Sequence, residues 1–250
     1  MRREEMRSQK PEARSQRSKL RGFGFWLLAS GFWLPFLGGC ASSDPPVQRE
    51  PEKVVYPAAW FAPLTSGTHV YSWEITPDAA GPGEVILSKR TELGVFSNLG
   101  ATPFELDGRR YGSVEGLWQS MYFPEGEDDP RSKLGLGHTR AEVEAMSGFE
   151  AKKAGDDAKK ALHAAGIDWI SYGGRRFDAH GGASDQAYHL RIIERATRAK
   201  VDQNPDVKKL LLATGELVLR PDHHQGENAT PAYRYFEILM KIRTELRAGK

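Results

Sequence analysis

Two short stretches hold the residue types that acid–base chemistry needs. In GSVEGLWQSMYFP, residues 112–124, Glu115 and Gln119 stand one helical turn apart, so the amide can hydrogen-bond the carboxyl and orient it. In PDHHQG, residues 221–226, Asp222 precedes His223 and His224, which places a carboxylate beside side chains suited to carrying a proton or contacting a phosphate. A carboxyl working with a second proton-carrying group is the equipment of general acid–base chemistry: one group takes a proton, the other supplies one. A plainer reading of each stays open. A glutamate at the second position of a helix is favoured by the helix dipole by about 0.3–1 kcal/mol, and an aspartate in a polar loop can cap a turn. Ser97 and Asn98, in VFSNL, are candidate hydrogen-bond partners for a ribose or a base, with local turn chemistry as the alternative.

Other chemistries lack their residues. The chain contains no GxxxxGK[ST] phosphate loop, no HExxH, no GxSxG and no CxxC pair. His223 and His224 are adjacent, neighbours seldom ligate one ion together, and no third ligand stands at a suitable spacing, so no metal is expected. No cofactor is expected either.

The elements that must position these residues follow from pattern. Val114, Leu117, Trp118, Met121 and Tyr122 recur at helical spacing, Ser113 is a natural N-cap and Pro124 closes the segment. Trp118 is expected in the core. Upstream, THVYSWEI (68–75) and EVILSKR (84–90) read as strands, GVFSNL and PFELDGRRY as shorter extended pieces, with a tight turn at Leu106-Asp107-Gly108. Downstream, helices are expected over 139–147, over 149–165 ending at Gly166, and over 184–203 with Ser184 as cap. Asn204-Pro205 starts another that Gly215 ends, and Thr230-Pro231 starts the last. Strands followed by many helices predict an α+β domain, mainly helical, with a small β-sheet near its N-terminal part.

The N-terminus reads as an address. Residues 1–39 carry eight Arg or Lys against three Glu, then an uncharged apolar run, GFGFWLLASGFWLPFLGG. The only cysteine, Cys40, follows Leu-Gly-Gly and resembles the lipidated cysteine of a bacterial lipobox. The expected organisation is a signal peptide at 1–39, a lipidated cysteine and proline-rich tether at 40–65, and a folded domain at 66–250. The expected location is a membrane-anchored exported lipoprotein, outer-membrane by the alanine after Cys40. Removing residues 1–39 from 35 basic and 33 acidic residues leaves 27 and 30, a mildly acidic chain. Its basicity belongs to the leader, and no global electrostatic case for nucleic-acid binding remains.

Three blocks in order carry a family resemblance. VFSNLGATPFELDGRRYGSVEGLWQSMYF, RAKVDQNPDVKKLLLATGELVL and EILMKIRTEL resemble the signature segments of the NADAR superfamily, the YbiA-like N-glycosidases, over about residues 84–247. The resemblance implies hydrolysis of a ribose C–N bond, in a riboflavin-pathway intermediate, an NAD-derived nucleotide or an ADP-ribosylated base. It implies Glu115 and Asp222 as the acid/base carboxylates, and Ser97, Asn98, Gln119, Trp169, His223 and Gly226 as substrate contacts. The implied partner is a small nucleotide or ribosylated base, with nucleic acid only as an ADP-ribosylated substrate and the membrane through the lipid anchor. The chain departs from the family pattern at Gly116, where a histidine is expected, at Tyr122, where a lysine is, and at Gln225, where a tryptophan could stack on a base. About 16 residues, SYGGRRFDAHGGASDQ, are additional, as a lid or a longer loop, and Arg175 and Arg176 within them are a phosphate contact or a solvated pair. The competing reading is a catalytically degenerate nucleotide-binding or envelope-scaffolding lipoprotein that kept the fold.

Overall fold

The computed structural model describes residues 54–226 and 228–249. The expected leader at 1–39 and Cys40 lie outside the described residues. Among the described residues no helix is long and apolar enough to cross a membrane.

The domain is α+β and mainly helical, as the sequence predicts, but its strands form three separate two-stranded pairs rather than one sheet. Strand β1 (Glu84–Ile86) pairs in parallel with the distant β6 (Val218–Arg220), Val85 opposite Leu219. Strands β2 (Phe104–Leu106) and β3 (Arg109–Tyr111) form a hairpin whose two turn residues, Asp107 at φ 51° and Gly108 at φ 74°, adopt the left-handed backbone that a two-residue hairpin demands. The additional segment is neither lid nor open loop over its first half. It forms a second hairpin, β4 (Ile170–Tyr172) with β5 (Arg175–Phe177).

Six α-helices complete the described fold: α1 (Val114–Ser120), α2 (Arg140–Ala145), α3 (Gly148–Ala164), α4 (Ala183–Gln203), α5 (Pro205–Ala213) and α6 (Tyr235–Arg247). Helix α1 is central and packs on α2, α3 and α4. All seven of its residues are buried, including Glu115 and Gln119, so the helix is not the surface amphipath its periodicity describes. Val114, Leu117 and Met121 enter the main core beside Phe96, Ile193 and Leu239. Ser113 caps it as expected, its Oγ accepting from the Gly116 N–H at 2.8 Å and donating to the Met146 carbonyl at 3.0 Å.

Four expectations fail locally. Residues 68–75 make only an isolated bridge, Glu74 with His223, because a turn closed by Glu74 N–H to Tyr71 C=O at 2.9 Å interrupts the run. GVFSNL is not extended: Glu92–Phe96 is a 3-10 helix capped by the Thr91 side chain. Helix α4 starts from Gly182 rather than Ser184, and after Thr230-Pro231 a 3-10 turn (Pro231–Tyr233) intervenes before α6.

Candidate active site

Close approach of helices creates the site. Helix α1 crosses the end of α2 so tightly that a Cβ on Gly116 would lie 2.5 Å from the Met146 carbonyl oxygen and 2.9 Å from that of Val143. The missing side chain is therefore a packing requirement of this chain. On the next face, α3 passes α1 at Gly155, where a Cβ would fall 1.7 Å from Gln119 Oε1. Gly155 leaves room for the Gln119 amide, which is pressed against the helix backbone and donates from Nε2 to Glu115 Oε1 at 2.7 Å.

Glu115 sits on the floor of a cleft of about 430 Å³. Only 8% of it is exposed. Its backbone N–H donates to Asn98 O at 2.9 Å, which ties the loop bearing Ser97 and Asn98 to the first turn of α1. Burial pushes the Glu115 carboxyl above its ordinary range; the Gln119 hydrogen bond and the charge of Lys152 oppose this, and Asp156 adds to it. Ser97 itself is held from below, its carbonyl accepting from Lys200 Nζ at 2.8 Å. Lys200 is almost fully enclosed, and burial pushes its ammonium down to about 7.

Helix α3 forms one wall with Phe149, Lys152, Asp156 and Lys159, a single stripe at helical spacing. Trp73, Lys89, His223, His224 and Gln225 line the cleft from elsewhere in the chain, with Tyr233 and Tyr235 near the α6 start. Asp222 lies behind this lining, 2% exposed. Lys89 Nζ donates to both its oxygens at 2.8 and 2.6 Å, and His223 Nδ1 lies 3.0 Å from Oδ1. Burial alone would raise the Asp222 carboxyl, but the hydrogen bonds from His223 and Lys89 outweigh it and hold the group below the usual carboxylate range.

Of the residues singled out in the sequence, Glu115, Gln119, Ser97, Asn98 and His223 line one cleft, and Asp222 reaches it through His223. Trp169 does not: its ring is occupied by the guanidinium groups of Arg131 at 4.4 Å and Arg176 at 4.1 Å. Gly226 is also outside the lining. Arg175 pairs with Asp185 at 2.9 Å and lies over Tyr188, so neither arginine of the additional hairpin faces the cleft. Trp118 is core, as expected, edge-on to His189 at 4.4 Å. The lining residues that sequence reading missed include Trp73, Lys89, Tyr233, Tyr235 and the α3 stripe. The stripe's spacing was visible, but in a Lys- and Ala-rich helix it reads as a solvated face.

No protein-family model matches the chain, and no curated protein matches it. Among solved structures, the chain is similar to the NMR structure of the E. coli protein YbiA, at 20% identity, over 66% of this chain and 86% of that one, with a TM-score of 0.39.

Proposed function

We propose that the cleft hydrolyses the C–N bond between a ribose and a base, in a ribosylated base or nucleotide, with Glu115 as general acid and Asp222 acting through His223 as the base. The observation that carries this reading is the pair of opposed environments: a buried Glu115 carboxyl with one neutral amide partner, pushed up by burial, and an Asp222 carboxylate bonded by His223 and Lys89 and held low, both serving one cleft. In this reading the His223 proton sits on Nδ1, donating to the Asp222 carboxylate 3.0 Å away, and Nε2 is the acceptor.

In the proposed step, water adds to C1′ of the ribose and gives its proton to His223 Nε2. The C–N electron pair leaves with the base nitrogen, which takes the proton of Glu115. Positive charge on the ribose develops beside the ionised Asp222–His223 pair. Return of the proton from His223 to Glu115 through solvent completes the cycle. Gln119 fixes one Glu115 oxygen and leaves the other to the substrate.

The test is direct. The purified chain is incubated with NAD, ADP-ribose, a ribosylamino pyrimidine phosphate and ADP-ribosylated guanine DNA, and products are separated by chromatography. Release of a free base by the native protein, reduced by about 10²–10⁴-fold in Glu115→Gln, is expected. No base released, or an equally active variant, overturns the reading. Melting shifts with nucleotides but no turnover would instead favour a binding protein on the same fold.

A further inference from the structure

The aromatic side chains around the cleft divide into two groups. Trp118 and Tyr235 belong to the packed interior, and Tyr233 is edge-on to Trp118 at 4.7 Å. Trp73 and Phe149 are different: they are 43% and 67% exposed, and both line the cleft. Among the described residues eight large hydrophobic side chains are exposed, and of these Trp73 and Phe149 are the two at the cleft.

Trp73 is held through its ring and Phe149 through its backbone. Tyr71 stacks on Trp73 with centroids 5.3 Å apart and planes 14° apart, and Lys89 Nζ, fixed by Asp222, lies 5.7 Å from the indole centroid. Phe149 opens α3 directly after Gly148, whose N–H donates to Leu99 O at 2.8 Å, so its backbone is joined to the loop bearing Ser97 and Asn98. An exposed aromatic ring at the mouth of a ligand-sized cleft is what stacking on a planar ring requires. Lys152, Asp156 and Lys159 follow Phe149 along the α3 stripe, so one wall carries an aromatic tip above charged groups.

We propose that Trp73 and Phe149 form an aromatic clamp for the planar heteroaromatic ring of a nucleotide, stacking the ring at the mouth while its ribose points to Glu115. Trp73 lies upstream of the stretch that carries the family resemblance. The inference rests on the glycosidase reading only for where the ribose points; ring recognition itself is a binding property.

Binding to the full-length chain is measured by calorimetry and tryptophan fluorescence with adenosine monophosphate, guanosine monophosphate and nicotinamide mononucleotide, against ribose 5-phosphate, which has no ring. At least one ring-bearing probe is expected to bind more tightly than ribose 5-phosphate, and Trp73→Ala and Phe149→Ala each to raise its Kd roughly 5–100-fold. Trp73→Phe keeps a stacking face, so its Kd rises by less than that of Trp73→Ala. It also weakens the ligand-dependent quench, of which Trp118, also in the cleft lining, keeps a share. Equal binding of ribose 5-phosphate, unchanged Kd in both alanine variants, an undiminished quench in Trp73→Phe, or no saturable binding of any ring-bearing probe overturns the clamp. Ring binding through the clamp without base release leaves the clamp standing and removes the hydrolase. Base release with unaltered KM in both alanine variants does the reverse.

Discussion

Glu115 and Asp222 are both buried carboxyls within one molecule, yet their surroundings drive them in opposite directions. Little of either is open to solvent, Glu115 being 8% and Asp222 2% exposed. Their partners differ. Asp222 receives two donors from Lys89 and one contact from His223, while Glu115 receives a single neutral amide from Gln119. A neutral donor offsets only part of the desolvation of a charge, whereas His223 and the Lys89 ammonium together offset more than all of it. The protein thus pushes one carboxyl up and holds the other down beside one cleft using common side chains.

The strongest way to break this comparison is to remove one partner's function at a time. Glu115→Gln is expected to lower kcat by about 10²–10⁴-fold with little change in melting temperature, because Gln preserves the shape and the floor stays filled. Asp222→Ala is expected to lower kcat less and stability more. It strands the Lys89 ammonium, but that side chain is 29% exposed and can rehydrate, which limits the cost to about 1–3 kcal/mol in urea unfolding. A reversal of these two rankings would assign the acid role to the wrong residue.

A third buried titratable group gives the comparison a control outside the chemistry. His189 is enclosed by Trp118, Phe177 and Tyr233, neither ring nitrogen has a partner in the described residues, and burial pushes it down to about 4. The unfolded chain, with an ordinary histidine near 6.5, then binds more protons than the native state between about pH 4 and 6.5. Stability contributed by neutral His189 is complete above that window and falls as pH drops through it, by about 2 kcal/mol between pH 7 and 5. Denaturant melts at the two pH values check this, and His189→Gln should flatten the difference.

Smaller effects test the helix crossing and the tuning of Glu115. Gly116→Ala forces a methyl against the Met146 carbonyl and is expected to cost about 1–3 kcal/mol by thermal unfolding. The alkaline limb of the pH–rate profile should report ionisation of Glu115. Lys152→Ala removes a charge that lowers the Glu115 value and should move that limb upward, while Asp156→Asn removes one that raises it and should move the limb downward. Both shifts are expected to be below about one pH unit, because each charge is partly exposed and screened. Equal shifts in the same direction would show that another group controls the limb.

Local sequence carried some of this and not the rest. Helix α1 was legible because its cap, period and stop coincide, and so was the β2–β3 turn, where Asp107-Gly108 supplies the required backbone. The run 68–75 was misread because β-branched and aromatic residues report a half-buried surface without saying whether a neighbouring strand exists to pair with it. Glu115 and Gln119 were identified with the right relation to each other, since one turn of helix fixes it. Trp73 and Lys89 were not, because their place at the cleft depends on contacts with Asp222 and His223 more than 130 positions later. Gly155 was invisible for the same reason: what it accommodates is a side chain from another helix.

The parallel pairing of β1 with β6 also has a consequence for how the molecule comes into being. Val85 emerges from the ribosome early, and Leu219 only when most of the chain has been made. Until then the Glu115 helix can exist, but the wall bearing His223, Tyr233 and Tyr235 has not been synthesised. A nascent or prematurely terminated chain ending before Arg220 therefore has a carboxyl and no cleft. The cleft arrives only with completion, so half-made copies lack the site altogether.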